Sequence, residues 1–148
     1  MTDHTGGFRK LARICQAHNL GLVYLFGSMA TQGERLLEGT GSRPAPDDPL
    51  ADLDVGVVTL EGLPAPGQRH RFYGSLYNSL EELFTPLPLD LVLLEENHSV
   101  FQAEAVAGIC VYEISEKFRD SYEMNVLRRA ADFRPVLRRF HREILEEV

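Results

Sequence analysis

The sequence predicts a mixed α/β (α+β) domain, and three observations carry that prediction. Short apolar runs with strand character, around Leu22–Phe26, Asp52–Leu60, Leu89–Leu94 and Cys110–Ile114, alternate with segments whose apolar residues recur at helical spacing. Glycine and proline cluster mostly between these segments. No internal repeat or low-complexity tract interrupts the alternation, and strands alternating with helices define a layered α/β class. A chain of 148 residues, 44% of them hydrophobic, reads as one domain over residues 1–148 with enough apolar matter for a packed core.

Each element has its own justification. Phe8, Leu11, Ala12, Ile14 and Cys15 form a helical stripe that Asn19 and Gly21 are expected to stop. The first strand follows, then a Gly-Ser turn and a short helix over Thr31–Glu38. Gly39–Pro49 is rich in Gly, Pro, Ser and Asp and reads as a loop. After the second strand and a proline-containing loop, Gln68–Phe84 reads as a helix with Phe72, Leu76, Leu80, Leu83 and Phe84 on one face. Pro86 and Pro88 end it before the third strand. Asn97 or Ser99 is the expected cap of a helix reaching about Ala107, which Gly108 closes. Ser115 is the expected cap of a long final helix with a stripe through Phe118, Tyr122, Val126, Ala130, Phe133, Leu137, Phe140 and Ile144. Pro135 should kink or divide this helix, with Asp132 capping a second half.

Composition excludes some functions. The formal net charge of −7 argues against nonspecific nucleic-acid binding. One local exception is Arg128, Arg129, Arg134, Arg138, Arg139 and Arg142, with Asp132 the sole acid among them. This cluster is either a solvated helix face or a surface for an acidic partner or for ATP phosphates. The two cysteines, Cys15 and Cys110, have no ligand-like spacing and read as reduced thiols, and the five histidines form no zinc pair. There is no signal-peptide pattern and no apolar run near the ~20 residues of a membrane span, so a soluble, cytoplasmic protein without membrane contact is expected.

Asp52 and Asp54 are the residues most in need of a chemical explanation. Residues i and i+2 of a strand point to one side, so the two carboxylates project together and repel. They lie among Leu53, Val55, Val57 and Val58, where an uncompensated carboxylate is costly. A divalent cation resolves both problems, and Mg²⁺ favours carboxylates combined with substrate phosphates. The first strand runs straight into Gly27-Ser28, where backbone N–H groups and a hydroxyl can hold phosphate. The third strand carries another acid, Asp90. A phosphate-holding turn with three strand-borne carboxylates points to metal-dependent chemistry on a nucleoside triphosphate.

Leu-Phe-Gly27-Ser28, Asp52-Leu-Asp54-Val and Leu-Asp90-Leu-Val together resemble the minimal nucleotidyltransferases of the DNA polymerase beta superfamily. Gly108-Ile-Cys-Val-Tyr-Glu113, Tyr122 and Asp132-Phe-Arg-Pro135 extend the likeness to the MNT-type antitoxins encoded with HEPN toxins. The resemblance implies a nucleotidyltransferase-like mixed sheet with helices packed mainly on one side and a long C-terminal helix. It implies that Asp52 and Asp54 bind Mg²⁺ and, through it, the triphosphate of ATP. Asp90 would help bind a second Mg²⁺ and act on the attacking hydroxyl, while Gly27 and Ser28 hold the phosphates. The reaction implied is transfer of AMP from ATP to a tyrosine of a partner HEPN toxin. The chain departs from the family pattern at Met29, where an arginine is usual, at Ala51, where serine is frequent, and in a longer segment between Gly27 and Asp52. Two other functions stay open: a non-catalytic antitoxin that neutralises its toxin by binding, and a nucleotidyltransferase for a small hydroxylated molecule.

Overall fold

The computed structural model describes residues 6–39 and 51–146, with side chains as far as Phe133. The element order is α1 (Gly6–Ala17), β1 (Leu20–Phe26), α2 (Ala30–Glu38), β2 (Leu53–Thr59), α3 (Pro66–Phe84), β3 (Leu89–Leu93), a 3-10 turn (Leu94–Glu96), α4 (Ser99–Val106), β4 (Ile109–Glu113) and α5 (Glu116–Glu146). The four strands form one sheet in the order β3-β2-β1-β4. β1 pairs antiparallel with β2 and β4, whereas β2 and β3 pair in parallel. A parallel pair needs a crossover, and α3 supplies it.

Alternation along the strands sorts the side chains into two layers. Val23 and Leu25 of β1, Leu53, Val55 and Val57 of β2, and Leu89, Leu91 and Leu93 of β3 face Leu11 and Cys15 of α1, Leu37 of α2, and Leu76, Leu80 and Phe84 of α3. Leu22, Tyr24, Phe26 and Val58 face the other way, with Leu94 and Ala105, and the Phe118 and Tyr122 rings of α5 pack there. Most of the helices thus lie on one face, as expected, and α4 with the first half of α5 covers the other. The wholly buried Tyr24 donates to Glu123 Oε1 at 2.8 Å, which gives its hydroxyl the partner that burial demands.

Several local expectations change. Gly21 does not stop α1. It lies inside β1, where a Cβ would run into the Phe118 ring, so its missing side chain lets α5 approach the sheet. The turn is made by Asn19 alone, at φ 55°. Neither Asn97 nor Ser99 caps α4. His98 does, its Nδ1 accepting from the Val100 N–H at 3.2 Å, while Asn97 donates to the Leu93 carbonyl and Ser99 is already helical. α5 is not divided at Pro135, and Asp132 lies within it rather than at a cap. The Gly39–Pro49 loop lies outside the described residues except for Gly39, which ends α2 at φ 70°. Arg128 and Arg129 are exposed, and the other arginines of the basic cluster lie outside the described side chains. Both cysteines are free, and burial pushes the Cys15 thiol up to about 12. Among the described residues no helix is long and apolar enough to cross a membrane.

Candidate functional site

The last turn of β1 and the first residues of β2 and β3 meet at one end of the sheet. Phe26 lies opposite Asp54 across the β1–β2 ladder, and Asp54 lies opposite Asp90 across the β2–β3 ladder. Neighbouring strands stand ~4.8 Å apart, so this register alone sets the two carboxylates side by side. Because Leu53, Val55, Leu89 and Leu91 point into the larger core, Asp54 and Asp90 share the opposite face. Asp52, two residues before Asp54, is exposed at the mouth of β2.

Gly27 follows Phe26 directly and turns the chain at φ 77°. A Cβ there would collide with Asp54 Oδ2, so the glycine leaves the cradle into which that oxygen fits. Gly27 and Ser28 are exposed. α2 starts immediately afterwards, and its N-cap, Met29, makes no side-chain capping bond. Met29 thus supplies no side-chain acceptor to the first-turn N–H groups at the positive end of the helix, an arrangement that favours an anion. Met29 itself is buried in the core, where it serves packing.

The electrostatics are those of crowded like charges. Asp54 is held above the ordinary carboxylate range, first by burial, then by the charge of Asp90 and a hydrogen bond with it, and last by Asp52. Part of the apolar wall is the Phe26 ring, edge-on to Phe101 of α4 at 5.8 Å. Among the described residues, no group of three or more His, Cys, Asp or Glu side chains is gathered closely enough to hold a metal ion unaided. The residues nevertheless fit Mg²⁺. The donors are hard oxygens, their repulsion needs a counter-charge, and Mg²⁺ characteristically takes one or two carboxylates with phosphate and water completing its shell.

All five residues singled out in the sequence lie at this end of the sheet. Two that sequence reading missed stand beside them. Tyr73 and Tyr77 of α3 pack against β3, and the Tyr73 phenol is pushed up by burial and then by the charge of Asp90. Their i, i+4 spacing was the available signal. The cavity between α1 and α3, lined by Lys10, Arg13, Ser79 and Glu82, shares no residue with this site.

Comparison with known proteins agrees with the geometry. The family model described as polymerase beta nucleotidyltransferase matches residues 9–117, a span that contains all three acids and the Gly-Ser turn. No curated protein matches the chain in sequence. Solved structures similar in fold include the following three. A toxin–antitoxin crystal structure with AMP-PNP has 17% identity and a TM-score of 0.57, covering 95% of this chain and 96% of that one. The toxin–antitoxin MntA-HepT has 14% identity and a TM-score of 0.55, covering 95% of each chain. The third, a tri-AMPylated Shewanella oneidensis HEPN toxin in complex with MNT antitoxin, has 15% identity and a TM-score of 0.55, covering 95% of this chain and 94% of that one.

Proposed function

The chain belongs to the polymerase beta nucleotidyltransferase family, and from that premise we propose that it is a protein adenylyltransferase antitoxin, moving AMP from ATP onto a tyrosine of a partner HEPN toxin in the cytoplasm. The observation that carries this reading is the single row formed by Phe26-Gly27, Asp54 and Asp90, with the open N-terminus of α2 beside it. It is supported by the similar folds, which include one with AMP-PNP and one bound to an AMPylated HEPN toxin.

Each residue has a role in this reading. Gly27, Ser28 and the first N–H groups of α2 hold the triphosphate. Asp52 and Asp54 would hold Mg²⁺, and Asp90 would contribute to a second ion. When bound, Mg²⁺ neutralises the phosphate oxygens and orients the triphosphate. Asp90 accepts the proton of the acceptor hydroxyl as its oxygen bonds to the α-phosphorus. The bond from the α-phosphorus to the bridging oxygen breaks, and pyrophosphate leaves with the electron pair. Positioning and charge neutralisation do most of the work in such a transfer.

The test is co-expression with the product of the neighbouring gene, with Mg²⁺ and ATP supplied, followed by mass spectrometry. AMP on a toxin tyrosine is the expected result. Replacing Asp52 and Asp54 together by Asn should lower transfer by more than about a hundredfold while the circular dichroism spectrum stays unchanged. A stable complex without AMP would replace this reading with a non-catalytic antitoxin, the alternative that burial of Met29 favours. Absence of any complex would leave a small hydroxylated acceptor as the better assignment.

A further inference from the structure

We propose that Tyr73 and Tyr77 are positioning residues for Asp90: their hydroxyls lock the free edge of β3 and so keep that carboxylate in register with Asp54. The inference rests on the assignment of Asp90 to the transfer reaction.

Among the described residues β3 is an edge strand that pairs only with β2. Backbone groups of alternate residues point to opposite edges, so the Asp90 peptide groups serve the β2 ladder while the carbonyls of Leu89, Leu91 and Leu93 point outward. Pro88 fits the same phase, because its carbonyl accepts from the Leu53 N–H at 2.7 Å. An open edge of this kind frays, slips or recruits another strand. Here each outward carbonyl has a side-chain donor. Tyr77 Oη donates to Leu89 O at 3.5 Å, Tyr73 Oη to Leu91 O at 3.1 Å, and Asn97 Nδ2 to Leu93 O at 2.9 Å.

The match follows from the two periodicities. Residues i and i+4 of a helix are ~6.0 Å apart along its axis, and residues i and i+2 of a strand are ~6.6 Å apart. The pairing Tyr73–Leu91 and Tyr77–Leu89 runs antiparallel, so two tyrosines four apart meet two outward carbonyls two apart. The rings stack with centroids 6.1 Å apart and an interplanar angle of 21°, which keeps the two hydroxyls in file. Asp90 sits between the two anchored carbonyls on one edge and the β2 ladder on the other. Phenylalanine would fill the same space without the hydroxyl, so it isolates the hydroxyl's contribution.

The experiment compares wild type with Tyr73→Phe, Tyr77→Phe and the double variant, each retaining its ring. In metal-free protein, amide hydrogen exchange at Asp90 should quicken roughly tenfold in the double variant, with Val57 in β2 unchanged. In AMP transfer from Mg²⁺–ATP to the proposed HEPN partner, kcat should fall roughly tenfold while KM for ATP stays within about twofold. Tyr73→Phe should carry more of the loss, since its bond is the shorter. Asn97→Ala frees Leu93 at the far end of β3 and should leave kcat within about twofold of wild type. Unchanged exchange at Asp90 overturns the proposal whether or not the protein transfers AMP. Faster exchange with unchanged kcat in an active enzyme overturns the positioning role. A wild type that moves no AMP refutes the proposed function instead, and exchange at Asp90 then decides the edge lock by itself.

Discussion

At the scale of single residues the site is a balance of repulsions. Asp54 is held above its ordinary value, so its protonation favours the folded state. That contribution is complete below the unfolded carboxylate value, near pH 4, and is lost as pH rises through the folded-state value. Asp54→Asn keeps the shape without the charge. In metal-free buffer the variant should therefore melt at the higher temperature at pH 7, and the gap should shrink as pH falls toward 4. Melting curves at several pH values check this, and a gap that grows toward low pH would contradict it. Gly27→Ala has the opposite character. It puts a Cβ on Asp54 Oδ2 and a side chain at φ 77°, so it should cost more than about 1 kcal/mol in urea unfolding and displace the carboxylate. Transfer should fall with it.

At the scale of elements, caps and spacing decide. The Phe118 N–H donates to Ser115 Oγ at 3.0 Å, so the predicted cap of α5 is present. Ser115→Ala should cost about 1 kcal/mol, read by thermal melting, without changing the sheet. The cap of α4 was misread because histidine is an uncommon capping residue. His98 takes the role where its ring also packs against Phe133, at 4.3 Å between centroids and tilted by 56°. Gly21 was misread for a similar reason. A glycine after a helix looks like a stop, yet this one is a strand residue cleared for Phe118, a contact 97 positions away in sequence terms (118 − 21). His18 joins elements in the same way, its Nδ1 on the Ile14 carbonyl and its Nε2 on Ser75 Oγ of α3.

At the scale of the whole molecule, the sheet is a device for bringing three distant segments to one end. The antiparallel β1–β2 pair sets the Gly27 turn beside Asp54, and the parallel β2–β3 pair sets Asp90 on its other side. A molecule built this way should bind ATP only with a divalent ion, because the triphosphate would otherwise face Asp52, Asp54 and Asp90 uncompensated. Calorimetry with Mg²⁺ or Mn²⁺, and again with chelator, tests this. Equal affinity under both conditions would mean that the carboxylates do not act through a metal.

Strand and helix periodicity, the Gly-Ser turn and the Asp52-Leu-Asp54 pair were legible in the sequence, because each is written in residues at most a few positions apart. Alternation in Asp52-Leu53-Asp54-Val55 predicts two carboxylates on one face, and a helical stripe such as Leu76, Leu80 and Phe84 already names its buried side. Strand order, the mixture of parallel and antiparallel pairing, and the register that sets Asp54 against Asp90 were decided only by the tertiary structure. So were the burial of Met29 and the lock of Tyr73 and Tyr77 on the β3 edge. These depend on which apolar faces close on each other across long stretches of chain. That choice is a property of packing the whole core at once, and no local pattern encodes it.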